Sequence, residues 1–453
     1  MSVFGVYGVK NAAQVIYFGL HALQHRGQEG AGIATFDENG VCHHHRGLGL
    51  AGEVLTRQCL DKHEGIIGIG STQYANKAKG GLDNVQPLFF HHKSGDFAIA
   101  GEGNLVNSTQ ISNYLEDKGC MFQTYTDAEI LANLIKKEGR EDRIFHIIDA
   151  LNMMEGGFAF TILTKNRIYA ARDKYGIKPL AIGRLGDGWV ISSETCAFEL
   201  VGAEFVRDVE PGEVVTVDAH GLRSRKYSQF QKHKVCGMEY IYIARPDSDI
   251  DGCNVHAYRM EVGRRLAKEC PADADIVVGV PDSGLSAAMG YAEASGIPYE
   301  MGLVKNRYVA RTFIQPSQEM REKGVQMKLS AVRSIVSGKR LVLVDDSIVR
   351  GTTSLKIVKL LRAAGAKEVH VRVASPMMKF PCFYGVDTST PEELLCSKRT
   401  LEEACAKIEA DSLGYISCEA SVASTFGCSE LCLACFNGEY PTALYQYGKE
   451  TEE

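Results

Sequence analysis

Two adjacent carboxylates, Asp345 and Asp346, follow four apolar residues and precede a turn rich in Ser, Gly and Thr in the run Leu341-Val-Leu-Val-Asp-Asp-Ser-Ile-Val-Arg-Gly-Thr-Thr-Ser354. The apolar quartet predicts a buried strand, and the turn leads straight into a helical pattern. Physically this is an anion cradle. Gly351 lets backbone N–H groups approach, Ser347, Thr352 and Thr353 add hydroxyl donors, and the helix N-terminus contributes positive potential. A monophosphate fits there, with Asp345 and Asp346 placed to hold ribose hydroxyls and, directly or through water, a Mg²⁺ ion. An Asp-Asp pair by itself reads as a solvated strand end; the continuation SIVRGTTS is what favours chemistry.

Cysteines supply a second spacing. Cys432-Leu-Ala-Cys435 is a CxxC, open by itself among zinc, iron–sulfur and redox use. Fourteen cysteines in 453 residues fall far below the density of a disulfide scaffold, so most are expected as free thiols or metal ligands. Others, such as Cys253 and Cys270, read as small buried hydrophobes. The run His43-His44-His45 invites a metal reading, but neighbours on an alternating strand point to opposite faces and cannot converge on one ion. Exposed strand surface is expected.

The elements that must position these groups change character along the chain. GIATFDENGVCHHHRGLGL carries a hairpin signal at Asn39-Gly40, FAFTILTKNRIYAARD and GWVISSE read as strands, and AAQVIYFGLHALQHR and DAEILANLIKKEG show helical periodicity. This predicts an α+β layered first domain with antiparallel sheets. A polar stretch from about Ser224 to Gly237 marks the boundary, giving domains 1–230 and 231–453. Beyond it, ADIVVGV, LSAAMGYAEAS, RLVLVDD, SLKIVKLLRAAG and EVHVRVAS repeat a βαβ rhythm, hence an α/β domain with a parallel sheet and ligands beyond the carboxyl ends of its strands. Lys+Arg number 50 against Asp+Glu 56, for a net charge of −6, so no global attraction to nucleic acid or anionic membrane is expected. No apolar run spans a bilayer and the N-terminus lacks a secretory pattern, which places the protein in the cytoplasm. The tail GKETEE reads as disordered.

The Leu341–Ser354 pattern resembles the signature of type I phosphoribosyltransferases, whose substrate is phosphoribosyl pyrophosphate (PRPP). VKNRYVARTFIQPSQEMREKGVQMKLSAVR, YIYIARPDSDIDG and GVPDSG extend the resemblance to the glutamine PRPP amidotransferase family over nearly the whole chain. That resemblance implies an Ntn-hydrolase-like four-layer sandwich followed by a type I phosphoribosyltransferase domain. It makes Asp345, Asp346, Lys305 and Arg307 the catalytic candidates, and assigns PRPP to Asp282, Ser283, Gly284, Arg311, Lys328, Ser347, Arg350, Gly351, Thr352 and Thr353. Mg²⁺ would sit at Ser283, Asp345 and Asp346. Ala310 and Gln326 depart from the family's usual Gly and Arg. The resemblance further implies a 4Fe–4S cluster on Cys236, Cys382, Cys432 and Cys435, purine nucleotides as effectors, and homo-oligomers.

Residues 1–230 match the family's glutaminase scaffold in Gln24–Gly32, Asn84–Pro87, Gly103–Asn107, Ala171–Pro179 and Ser193–Thr195. Its chemistry does not follow, because the family's nucleophile is a cysteine activated by its own α-amino group. Aligned on Val3-Phe4-Gly5, Met1 holds that position and Ser2 the next; removal of Met1 would expose a serine one place out of register. Gln73 replaces an arginine that clamps the glutamine carboxylate, and Glu102 an asparagine that donates to the oxyanion. Asp127, which holds the substrate amino group, is kept. The expectation is a PRPP-dependent transferase with its glutaminase site lost, drawing ammonia from solution or from a separate glutaminase. A non-catalytic PRPP or nucleotide sensor, or a transferase using another nucleophile, is the alternative.

Overall fold

The structure is a computed structural model that describes residues 1–74, 80–93, 95–135, 142–228, 233–306, 329–388, 390–445 and 447. Among these residues the first half holds two stacked antiparallel sheets. One runs Glu204–Asp208, Ala181–Leu185, Gly188–Ser192, Ser2–Tyr7, Ile67–Gln73, Gly30–Phe36, Cys42–Leu48. The other runs Gly221–Lys226, Glu213–Asp218, Arg167–Arg172, Gly156–Thr164, Phe97–Leu105, Leu88–Phe90. Val3, Ala34 and Ile69 meet Ala98, Ala159 and Ala170 between the sheets. Helix Ala12–Ala22 covers one outer face through Ile16 and Leu20, and helices Asp127–Ile135 and Arg143–Met153 cover the other through Leu131 and Ile147. The result is the four-layer sandwich expected. All seven residues of Gly30–Phe36 are buried, because a strand between a second sheet and a helix has no solvent face.

The hairpin at Asn39-Gly40 forms. Gly40 takes φ 82°, and the Asp37 carboxylate accepts from the Val41 N–H at 2.9 Å. His44 and His45 are exposed on the sheet-edge strand Cys42–Leu48, while His43 reaches Asp37 at 3.1 Å. The polar stretch is not wholly a linker: Ser224, Arg225 and Lys226 pair with Val215, Val214 and Glu213 as the sheet's edge strand. Polarity reports an exposed edge as readily as a boundary.

In the second half a parallel sheet runs Ile276–Gly279, Arg340–Asp345, Glu368–Val373, Ser412–Tyr415, with helices Leu285–Ser295, Thr352–Ala363 and Leu401–Ile408 between them in sequence. Helix Val255–Glu269 lies against Leu285–Ser295 so closely that a Cβ on Gly263 would stand 2.0 Å from the Ala287 carbonyl oxygen. Val235–Cys236 pairs in parallel with Leu431–Cys432, returning the C-terminal region to the start of this half. Fully buried Arg172 donates to both carboxylate oxygens of Asp251, at 2.7 and 2.8 Å, and so ties the halves together. Among the described residues no helix is long and apolar enough to cross a membrane. The tail at 448–453 lies outside the described residues.

Candidate functional site

The central strand Arg340–Asp345 delivers Asp345 and Asp346 to its carboxyl end, where they are only 8% and 7% exposed. That excludes a solvated strand end. Ser347 Oγ donates to Asp346 Oδ1 at 2.6 Å, Ser283 Oγ donates to Asp346 Oδ2, and the Asp346 N–H donates to Asp345 Oδ1 at 3.0 Å. Burial, reinforced by the charge of Asp346, holds the Asp345 carboxyl well above the usual range. Burial also raises Asp346, against the pull of the Ser283 and Ser347 hydroxyls and the Arg259 guanidinium.

Ser283 arrives on the turn Pro281–Gly284, whose Pro281–Asp282 peptide is cis. A Cβ on Gly284 would lie 2.7 Å from the Val344 carbonyl oxygen, so only glycine lets this turn close onto the central strand. Gly351, at φ 77°, begins helix Thr352–Ala363, and no side chain caps that N-terminus, which keeps first-turn donors available beside the carboxylates. Lys305 donates to Asp282 Oδ2 at 2.5 Å. The structure thus gathers Asp282, Ser283, Lys305, Asp345, Asp346 and Ser347. Arg350 is engaged elsewhere, donating to Glu393 at 2.8 and 3.0 Å. Arg307, Arg311 and Lys328, with Ala310 and Gln326, lie outside the described residues.

A cavity of about 330 Å³ lies between the halves. Met1, Gln73, Glu102 and Asp127 line it from the first half, and Cys382, Phe383 and Asp387 from the second. Met1 sits at the start of the buried strand Ser2–Tyr7, with its amino group 2.6 Å from the Arg26 carbonyl oxygen it donates to. Burial pushes that amine down to about 5 despite the nearby Glu102. Asp127 Oδ2 accepts from the Leu105 N–H at 3.0 Å. Asn104 Nδ2 donates to the Phe383 carbonyl at 3.0 Å, closing one wall onto the second half.

Behind the cavity is a buried ion network that motif reading missed. The Arg26 guanidinium donates to Glu102 Oε2 at 3.1 Å, to Glu194 Oε1 at 2.7 Å and to both Glu239 oxygens at 2.8 and 2.9 Å. Lys178 donates to Glu239 at 3.2 Å, and His25 shares a 2.7 Å hydrogen bond with Glu194. Burial would raise Glu194 and Glu239, but His25 and Arg26 in the first case, and Arg26 and Lys178 in the second, hold both below the usual range. Arg26 and Lys178 lie within the QHRGQEG and ARDKYGIKP matches, yet nothing in sequence spacing couples them to Glu239.

Cys236 and Cys432 are paired across the parallel bridge. Burial raises the Cys435 thiol strongly, and Cys382, Cys236 and Cys432 add to the rise. The four cysteines are therefore neighbours. Among the described residues, however, no three His, Cys, Asp or Glu side chains are set to hold a metal ion, so the iron–sulfur expectation has no preformed geometry in its favour. At the positions expected for Mg²⁺, the Ser283 hydroxyl donates to Asp346 and the Asp346 N–H to Asp345.

The chain matches a glutamine amidotransferase domain over residues 80–199 and a phosphoribosyl transferase domain over residues 256–376. It is 52% identical to the amidophosphoribosyltransferase of Bacillus subtilis over 98% of its own length and 94% of that protein. It is 47% identical to the Staphylococcus aureus amidophosphoribosyltransferase over 98% and 91%. The solved B. subtilis glutamine PRPP amidotransferase complexed with ADP and GMP superimposes with a TM-score of 0.93, at 51% identity and 98% coverage of both chains.

Proposed function

Since the chain belongs to the amidophosphoribosyltransferases of purine biosynthesis, we propose that it converts PRPP and free ammonia to 5-phosphoribosylamine and pyrophosphate. One observation carries the transferase reading: the Asp345-Asp346 pair, buried at the end of a central parallel strand and tied to Ser283 and Ser347. In this reading the uncapped helix start at Gly351–Thr353 receives the 5-phosphate, and Asp345 and Asp346 accept the ribose hydroxyls. Lys305 stands beside the pyrophosphate turn through Asp282, where exclusion of water would protect the reacting centre. A C1–N bond forms as the C1–O bond to pyrophosphate breaks, the bonding pair leaving with pyrophosphate and the new ammonium group shedding one proton. Adjacent carboxylates that resist ionisation fit a hard divalent cation, so Asp345, Asp346 and Ser283 would hold Mg²⁺, which supplies charge neutralisation for the departing pyrophosphate.

Ammonia is the donor in this proposal because the cavity's first-half residues are unsuited to glutamine hydrolysis. The Met1 thioether cannot attack an amide. Glu102 opposes an oxyanion where the family's residue would donate to it, and Gln73 offers no charge to a glutamine carboxylate; loss of one oxyanion donor alone typically costs about 10²–10³ in rate. Residues 1–230 then serve as a retained scaffold, and 231–453 as the transferase. The four cysteines fit a thiolate-liganded 4Fe–4S cluster, because a cationic iron–sulfur core would stabilise the thiolate forms that burial disfavours at Cys236, Cys432 and Cys435. Purine nucleotides as effectors, a homo-oligomer and a cytoplasmic location complete the reading.

The test is pyrophosphate release from PRPP and Mg²⁺ by anaerobically purified protein, its N-terminus checked by mass, with ammonium chloride against glutamine. Turnover with ammonium alone is expected. Equal turnover with glutamine would overturn the donor assignment, and silence with both would leave a binding or regulatory protein.

A further inference from the structure

The turn that receives the 5-phosphate in the reading above is held from outside by a short segment that the Leu341–Ser354 pattern does not contain. Pro391–Glu393 forms one turn of 3₁₀ helix, closed by the Glu393 N–H donating to the Thr390 carbonyl at 3.0 Å. Leu394 and Leu395 follow, 1% and 0% exposed, and they enter different cores. Leu394 joins the cluster that includes Tyr384 and Cys432, and Leu395 the cluster that includes Ile357 and Leu361 beside the parallel sheet. The segment is thereby anchored in the body of the second half.

It grips the turn at three consecutive residues. The Leu395 N–H donates to the Val349 carbonyl at 2.7 Å. Arg350 Nε and Nη2 both donate to Glu393 Oε2, at 3.0 and 2.8 Å. A Cβ on Gly351 would stand 3.1 Å from Leu395 Cδ2, so the leucine lies directly against the residue whose φ of 77° opens helix Thr352–Ala363. Both members of the Arg350–Glu393 pair are about half exposed. Exposed pairs add little to global stability, so what this one fixes is the local shape of the turn.

We propose that Glu393 is a positioning residue for the transferase: through Arg350 it fixes the Ser347–Gly351 turn in the form that accepts a 5-phosphate. The proposal rests on the PRPP reading above and adds to it a residue that touches no substrate. A turn already ordered in the free protein loses less conformational freedom when phosphate binds, and affinity rises accordingly.

Ribose 5-phosphate carries the 5-phosphate without the pyrophosphate and so separates this role from the reaction. In calorimetric titration of the full-length protein with Mg²⁺ and no nitrogen source, ribose 5-phosphate and PRPP are expected to bind Glu393→Ala about two- to fivefold more weakly than the parent, the range of an exposed ion pair. Pyrophosphate, which does not use the turn, should bind both proteins alike. Glu393→Gln, which keeps an acceptor oxygen without the charge, should fall between them. In an Arg350→Ala background Glu393→Ala is expected to change nothing further, because a residue acting through Arg350 has no route without it. In steady-state turnover with ammonium, KM for PRPP should rise while kcat does not, the mark of lost ground-state binding. Tighter ribose 5-phosphate binding by Glu393→Ala, the result if the carboxylate only withholds Arg350 from phosphate, would overturn the role. Unchanged affinity, an equal loss for pyrophosphate, or a full effect in the Arg350→Ala background would overturn it as well, each leaving the transferase intact. A parent protein that binds neither PRPP nor ribose 5-phosphate would overturn the phosphate reading and the positioning role with it.

Discussion

Asp346→Asn separates catalysis from folding at the transferase site. In the free protein the Asp346 carboxylate accepts hydroxyls from Ser283 and Ser347, at 2.6 Å in the second case, beside the like charge of Asp345. Asparagine retains one acceptor oxygen, so one hydroxyl must turn to another partner at a cost of about 0.5–1.5 kcal/mol. Removing one of two adjacent buried charges offsets that loss, and net stability should stay within about 1 kcal/mol. The substrate complex has no such compensation. If Asp346 makes two charge-assisted contacts to ribose or metal, at about 1.5–3 kcal/mol each, turnover falls by about 10²–10⁴. Pyrophosphate release measured beside urea unfolding reads both quantities. The pH dependence adds a sign: with folded carboxyls raised by burial, the native state keeps its proton longer than the unfolded chain. Stability therefore declines as pH rises through the pair's titration, and the variant should flatten that decline. Turnover within about threefold of the parent, less than 1 kcal/mol of barrier, would refute the assignment, as would a stability loss large enough to explain the lost activity.

Other substitutions probe the supports. Glu239→Ala strands Lys178 in the interior and removes two hydrogen bonds from Arg26, which keeps Glu102 and Glu194, so denaturation should show about 3–5 kcal/mol lost; an unchanged midpoint would contradict the network. Because the Glu239 carboxyl is held below its usual range, its contribution is present above the unfolded value of about 4.3 and is lost as pH falls toward the folded one. Gly284→Ala drives a methyl against the Val344 and Val280 carbonyls, at 2.7 and 2.9 Å, and should cost about 1–3 kcal/mol together with PRPP turnover, since the turn carries Ser283. Cys435→Ser should abolish iron and sulfide content in anaerobically purified protein; zinc in the parent, or unchanged iron in the variant, would dismiss the cluster.

Much of the transferase site was legible because it is local. Strand, carboxylates, glycine turn and helix start all fall within fourteen consecutive residues, Leu341–Ser354, and each uses a different, recognisable residue preference. Arg350 shows the limit of that reading: its position in the turn says nothing of Glu393, forty-three residues on, which engages it. The buried Arg26 network was illegible for the same reason, since Glu239 lies 213 residues from Arg26 and no periodicity joins them. Polarity at Ser224–Lys226 misled in another way, because an exposed edge strand and a linker select the same side chains.

The network also bears on why a glutaminase scaffold without a thiol at position 1 would be kept. Arg26 and Lys178 face three carboxylates, Glu102, Glu194 and Glu239, all buried. With a neutral side chain at position 102, as the family resemblance implies, Arg26, Lys178 and the His25 ring would face two carboxylates. Glu102 adds an anion that Arg26 satisfies through Oε2 alone, leaving Oε1 buried and unpaired. Glu102 is ion-paired with Arg26 at 3.1 Å, and the Met1 amine, pushed down to about 5, is mostly neutral at pH 7. Glu102 and Met1, which carries no thiol, line the same cavity. The scaffold persists because Arg26 and Lys178 join the two halves through Glu239, and discarding the first half would leave that carboxylate unpaired in the second.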